Sequence, residues 1–245
     1  MRIPFRALKV LAVTALPLAL AACTSGSITT SSTDATAAAE SAKAKDPNAG
    51  LMTGTQLKKA LADASYFSAG FAADPSAARD TGDTYQAPAT KSADKPQCAG
   101  LGATSWISLT GVEGVSFAQN SYINKNTSAE LDQEIDVYRG TTAADVMKDV
   151  AQVVAACPSY TDAGTHSTVK VTGASTAGLG EEAYTITLTD SAWESGTTLI
   201  AARAGTAVVS VLSTDGSDNG AASAKKLAEH VLASVKGVSG SVGRS

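Results

Sequence analysis

Between Leu131 and Arg139 the chain changes character at every step. Leu131, Ile135 and Val137 fall on one side of an extended backbone, and Asp132, Glu134 and Asp136 on the other. A period of two is the signature of a strand, and an apolar face backed by a charged one is that of an antiparallel sheet covered on one side. The spacing therefore predicts that the three carboxylates form a solvated face. A hard cation could also use such oxygens, but the row lacks a glycine-turned loop, and no metal ligands are assigned. Directly after this strand, Thr141 and Thr142 offer a cap. Ala143, Val146, Met147, Val150, Val153, Val154 and Cys157 then follow helical spacing until Pro158 ends it.

The rest of the chain repeats this alternation of strands and helices. Thr55 is the expected N-cap of a short helix whose buried stripe is Leu57, Ala60, Leu61 and Ala64. Tyr66, Phe67 and Phe71 are expected to pack that helix onto the sheet. Residues 72–97, rich in Ala, Asp, Thr, Gly and Pro, read as a long loop. Strands are expected near 106–109, 115–123, 168–172, 183–189, 197–203 and 206–212, the last two joined at Ala204-Gly205. Ala224, Leu227, Ala228, Val231 and Val235 form the buried stripe of a final helix stopped by Gly237. The fold class expected is α+β: a mostly antiparallel sheet of about 5–7 strands with about three packed helices in a single domain.

The first 22 residues read as an address. Met1 to Lys9 is basic without an acid, and Val10 to Ala22 is apolar apart from Thr14. That is the layout of a secretory signal, and the apolar run is too short to span ~30 Å of hydrocarbon permanently. The run closes on Leu20-Ala21-Ala22-Cys23, which resembles the bacterial lipobox, where the Cys thiol is acylated and becomes the mature N-terminus. Two or more acyl chains hold a protein stably on a bilayer. Lipidation at Cys23 would thus place the chain on the cell membrane, facing the extracytoplasmic side. Residues 23–52 then read as a Ser-, Thr- and Ala-rich flexible linker with a reach of roughly 30 Å. Residues 53–238 follow as the globular domain and 239–245 as a flexible tail.

Cys23 also sorts the other cysteines. The 245-residue chain has three. With Cys23 acylated, Cys98 and Cys157 remain, and an even pair in an exported chain reads as a disulfide. The rival, two free thiols with one a nucleophile, finds neither His166 nor His230 at a telling spacing.

Charge excludes other classes. Arg2, Arg6 and Lys9 lie in the leader, so the remainder carries 16 basic against 23 acidic residues. Such a chain has no concentrated basic face for nucleic acid and no polybasic grip on anionic lipid. Catalytic motifs are missing too. There is no Gly-x-Ser-x-Gly elbow. Gly173 to Gly178 has the glycine spacing of a phosphate loop, but Leu179 stands where Lys is required. No carboxylate pair is singled out for glycoside chemistry, no cofactor is implied, and the chain is not expected to be an enzyme. Trp193, between two strands, and Tyr138, at the end of the alternating strand, are the residues assigned to ligand or partner contact. Trp106 is expected in the core.

The order of these parts resembles the PknH-like extracellular sensor domain family, found in the outer part of mycobacterial transmembrane kinases and in actinobacterial lipoproteins. The resemblance covers about residues 51–237. It rests on Ser68-Ala69-Gly70-Phe71 after the opening helix, Cys98 before the first strands and Cys157 closing the central helix. It rests also on Leu179-Gly180-Glu181-Glu182-Ala183 leading into a strand, the hairpin at Gly205 and the closing helix. It implies a sheet with helices packed on it that senses or binds something outside the membrane. The kinase sensor's second disulfide has no counterpart here. The function expected is a non-catalytic ligand-binding or sensor-like domain in a membrane-anchored lipoprotein. Its partner would be a small molecule, glycan, lipid or protein of the envelope. A lipid-handling or scaffold protein docking on an envelope complex is the alternative.

Overall fold

A computed structural model of the chain describes residues 45–89 and 96–242. The expected signal sequence, Cys23 and most of the linker lie outside the described residues. Eight strands form one antiparallel sheet: β1 (Phe71–Asp80), β2 (Ser116–Asn124), β3 (Glu130–Val137), β4 (Ser159–Thr161), β5 (Thr168–Ser175), β6 (Glu182–Thr189), β7 (Thr197–Ala204) and β8 (Ala207–Ser213). Their order is β1-β2-β3-β8-β7-β6-β5-β4, so β1 and β4 are the edges. Four helices accompany them: α1 (Gly54–Lys58), α2 (Ile107–Thr110), α3 (Thr142–Ala156) and α4 (Ala221–Val242), with a 3-10 turn at Cys98–Gly102. The α+β class with an antiparallel sheet is as expected. Among the described residues the counts are corrected upward, to eight strands and four helices.

Helices cover both faces of the sheet. On one, Leu227, Val231 and Val235 of α4 and Leu57 of α1 pack on Ile135, Ile200, Val209 and Val211. On the other, Val146, Val150 and Val153 of α3 pack on Ile186, Leu188, Leu199 and Val208. Small residues such as Ala201 and Ala202 are fully buried between the layers, which lets the helices approach closely. Helix α3 ends at Cys157, whose sulfur is bonded to that of Cys98 with the Cα atoms 5.6 Å apart. The bridge ties the segment 98–114, including α2 and the buried Trp106, to α3.

Several local expectations are corrected. Residues 71–80, read mostly as loop, form β1. Pro75 is tolerated because β1 is an edge strand and its register with β2 shifts between Asp74 and Arg79. The expected strand at 106–109 is instead α2, stopped by Gly111 in the left-handed region at φ 73. Helix α1 is shorter than its apolar stripe suggested. The Gln133 side chain accepts from the Ala62 amide and donates to the Ala62 carbonyl, both at 2.8 Å, which removes that peptide from any helix. Its N-cap is Thr53 in a capping box with Gln56, not Thr55. Gly237 does not stop α4, which runs on to Val242. The folded part also begins earlier than composition suggests: Leu51 and Met52 are buried. Their carbonyls accept from Tyr85 and Ser116. Tyr66, Phe67 and Phe71 do pack on the sheet, with Phe67 stacked on Tyr122 at 3.9 Å.

Gly220 makes the junction between β8 and α4 possible. Its φ is 80, and a Cβ there would lie 2.2 Å from the Ser213 carbonyl oxygen. Gly220→Ala should therefore combine left-handed strain with overpacking and cost about 3 kcal/mol. A urea midpoint unchanged from the parent would refute this account of the junction.

Candidate functional site

The three carboxylates of β3 are not a solvated face. Glu134 is 3% and Asp136 7% exposed, and Asp132 is half-buried. The correction has a topological cause. β3 is an interior strand, flanked by β2 and β8. Helix α3 covers β5 to β8 on this side, and the disulfide-held segment 98–114 folds down beside it, over the acidic row. Alternation reports the period of a strand and leaves open whether its polar side is covered.

The register puts the row in a defined setting. Across β2, Asp136 faces Phe117, Glu134 faces Gln119 and Asp132 faces Ser121. Across β8, the same three face Val208, Ser210 and Leu212. Arg79 of β1 pairs with Gln119 and is the one basic residue at the mouth among the described residues. From above, Thr104 donates its hydroxyl to Glu134 Oε2 at 2.6 Å, and the Trp106 indole N–H donates to Ser210 Oγ at 2.6 Å. Between floor and cover is a cavity of about 240 Å³ lined chiefly by Trp106, Phe117, Glu134, Asp136 and Tyr138, with Arg79 and Glu113 at its rim.

The electrostatics of this cavity are unbalanced. Asp136 Oδ2 and Asp132 Oδ1 are buried and accept no hydrogen bond. Burial pushes the Asp136 carboxyl well above the usual carboxylate range, and the charges of Glu134 and Glu113 push the same way. Burial also raises Glu134, against the Thr104 hydrogen bond and the charge of Arg79. Asp132 is pushed up to about 7, mainly by burial, with Glu130 and Asp74 adding repulsion. Tyr138, 2% exposed, is held well above its ordinary value by burial and by Asp136 and Glu134.

Larger hollows exist. One of about 460 Å³ lies between α3 and β6, and one of about 520 Å³ beside the turns at 127–129 and 214–217. Neither is lined by a buried ionisable side chain. A buried, under-bonded charged group is a better pointer to a site than volume alone.

Of the residues assigned from sequence, Tyr138 lines the cavity. Trp193 does not. It is half-buried and packs against the core under α3, in the β6–β7 connection. Glu134, Asp136, Trp106, Phe117 and Thr104 were missed. One signal was present: Tyr138 continues the face of Asp136, and an aromatic there is odd for a solvated face. The strand 206–212, apolar on both sides, was a second sign that the sheet is covered twice.

Among the described residues no three His, Cys, Asp or Glu stand together in a way that could hold a metal ion. No described helix is long and apolar enough to cross a membrane. Neither a scan against protein-family models nor a search of curated proteins finds a match for this chain.

Proposed function

We propose that this is an extracytoplasmic, lipid-anchored binding module with a sensor-like, non-catalytic domain. Its ligand occupies the cavity of Trp106, Glu134, Asp136 and Tyr138. The observation that carries the reading is Asp136, buried in the wall of that cavity with an oxygen that accepts no hydrogen bond. Leaving such an oxygen unmet is costly, and a ligand that meets it recovers that cost. The Cys98–Cys157 bridge supports an oxidising compartment.

Binding is preferred over catalysis because no histidine, cysteine or lysine stands among the described residues lining the cavity beside Glu134 and Asp136. Lipid handling finds less support, because Ile123 is the one large hydrophobic side chain that stands exposed among the described residues. Residues resembling a lipobox at 20–23 supply the attachment in this reading.

Two measurements test the parts separately. Cys23→Ala should abolish acylation by radiolabelled palmitate and shift the protein from the membrane to the soluble fraction. Retention of label refutes the anchor. For the site, Trp193→Phe leaves Trp106 as the only tryptophan. Its emission should respond to at least one member of a panel of envelope glycans, peptidoglycan fragments, amines and lipids, and silence across the panel counts against a ligand there.

A further inference from the structure

We infer that the cavity takes a cationic head group, a primary ammonium or a guanidinium, seated between the Asp136 and Glu134 carboxyls and the rings of Trp106, Phe117 and Tyr138. The inference rests on the binding reading above and gives its ligand a chemical class.

The first ground is the charge ledger of the face. Glu130, Asp132, Glu134 and Asp136 stand at alternate positions of β3, with Glu113 and Asp74 in electrostatic reach. Arg79, itself exposed, is the basic residue among those lining the cavity. A cation draws these carboxyls into their charged form, whereas an anion finds an attractive partner only in Arg79 among the described lining residues. The second ground is independent of the number of acids. Asp136 Oδ2 has no donor, whereas Glu134 Oε2 has Thr104. Among the described residues the pocket has no hydrogen-bond donor to Asp136 Oδ2, and an ammonium or guanidinium brings several. The third ground is the aromatic lining. Cations are drawn to the faces of Trp, Tyr and Phe, more strongly when the site is shielded from water. Size is the fourth. About 240 Å³ is below the usual range of drug-sized sites, ~300–1,000 Å³, which suits a compact head group on a thin stem.

The site has a built-in dependence on acidity. The groups facing Asp136 are Glu134 on its own strand, Glu113 before β2, Arg79 on β1 and Tyr138 after β3. All the carboxyls gain from a bound cation and Arg79 loses. Cation entry therefore displaces protons from the acid row, and affinity should fall as pH falls.

The probe is agmatine, which carries a guanidinium and an ammonium, titrated into the purified chain carrying Cys23→Ala, with sodium chloride matched for ionic strength. The readout is the indole N–H resonance of Trp106, assigned against Trp193→Phe. The Trp106 signal should shift to saturation, and that of Trp193 should stay fixed. Affinity should drop about tenfold from pH 7.5 to pH 5.5, as expected when the bound cation displaces on average about half a proton over that range, and Asp136→Asn should weaken it at least about tenfold. Thermal unfolding checks that Asp136→Asn is folded. If glucose or N-acetylglucosamine moves Trp106 and agmatine does not, the cation class is wrong and the cavity remains a ligand site. Should none of them move Trp106, both readings fall. Unchanged agmatine affinity in Asp136→Asn overturns the assignment to this carboxyl.

Discussion

Lowering the pH from about 7.5 to about 5 should raise the melting temperature of this domain, the reverse of ordinary acid destabilisation. Burial favours the protonated forms of Asp132, Glu134 and Asp136 in the folded state more than in the unfolded chain. A carboxyl with a raised folded pKa contributes most below its unfolded value, and that contribution is lost as pH climbs through the folded value. For Asp132 the window runs from 3.8 to about 7. Within its window each such group changes stability by up to about 1.4 kcal/mol per pH unit. Carboxyls shifted the other way, Asp63, Asp74, Asp80 and Asp162, act only below the ordinary value of 3.8 and do not oppose this. Allowing for solvent screening at Asp132, a gain of roughly 3 kcal/mol is expected, or about 6–12 °C in a domain of this size. Calorimetry across the range checks it. A melting temperature that falls steadily from neutral to pH 5 would mean the row is ionised and hydrated in the folded state. Asp132→Asn with Asp136→Asn should flatten the profile.

Removing the disulfide should cost about as much. Replacing Cys98 and Cys157 by Ser opens a loop whose ends are 59 residues apart. In the chain-entropy model its closure contributes roughly 4 kcal/mol, equivalent to about 8–16 °C. The location adds a second consequence. Cys157 is fully buried at the end of α3, and Cys98 begins the segment that carries Thr104 and Trp106 over the acid row. Without the bridge that cover is held by packing and by two side-chain hydrogen bonds, Thr104 to Glu134 and Trp106 to Ser210. Amide exchange in 98–112 should accelerate well before global unfolding. Protection there unchanged by reduction would show that the bridge is not what keeps the cover down.

Much of this fold was legible in the sequence where periodicity is strong. Helix α3 follows from the spacing of Val146, Val150, Val153 and Val154, and the β7–β8 turn from Gly205, whose φ is 60. β1 was not legible. Its Ala72-Ala73-Asp74-Pro75-Ser76-Ala77-Ala78 has no β-branched residue, and pairing with β2 supplies what propensity lacks. The site was half legible. The carboxylates stood out as a row, but their burial depends on Trp106 and Thr104, brought over from elsewhere in the chain by a cysteine bridge. No local pattern carries that information.

The edges of the sheet have a consequence for life at a surface. β4 is three residues long, and β1 carries Pro75, a register shift and the charges of Asp74, Arg79 and Asp80. Neither offers a long, flat ladder of free amides and carbonyls to a second copy. If the proposed anchor at Cys23 tethers this chain to a plane, it is confined with its neighbours at an effective concentration far above that in solution. Copies of the domain could then be crowded without zipping edge to edge into fibres.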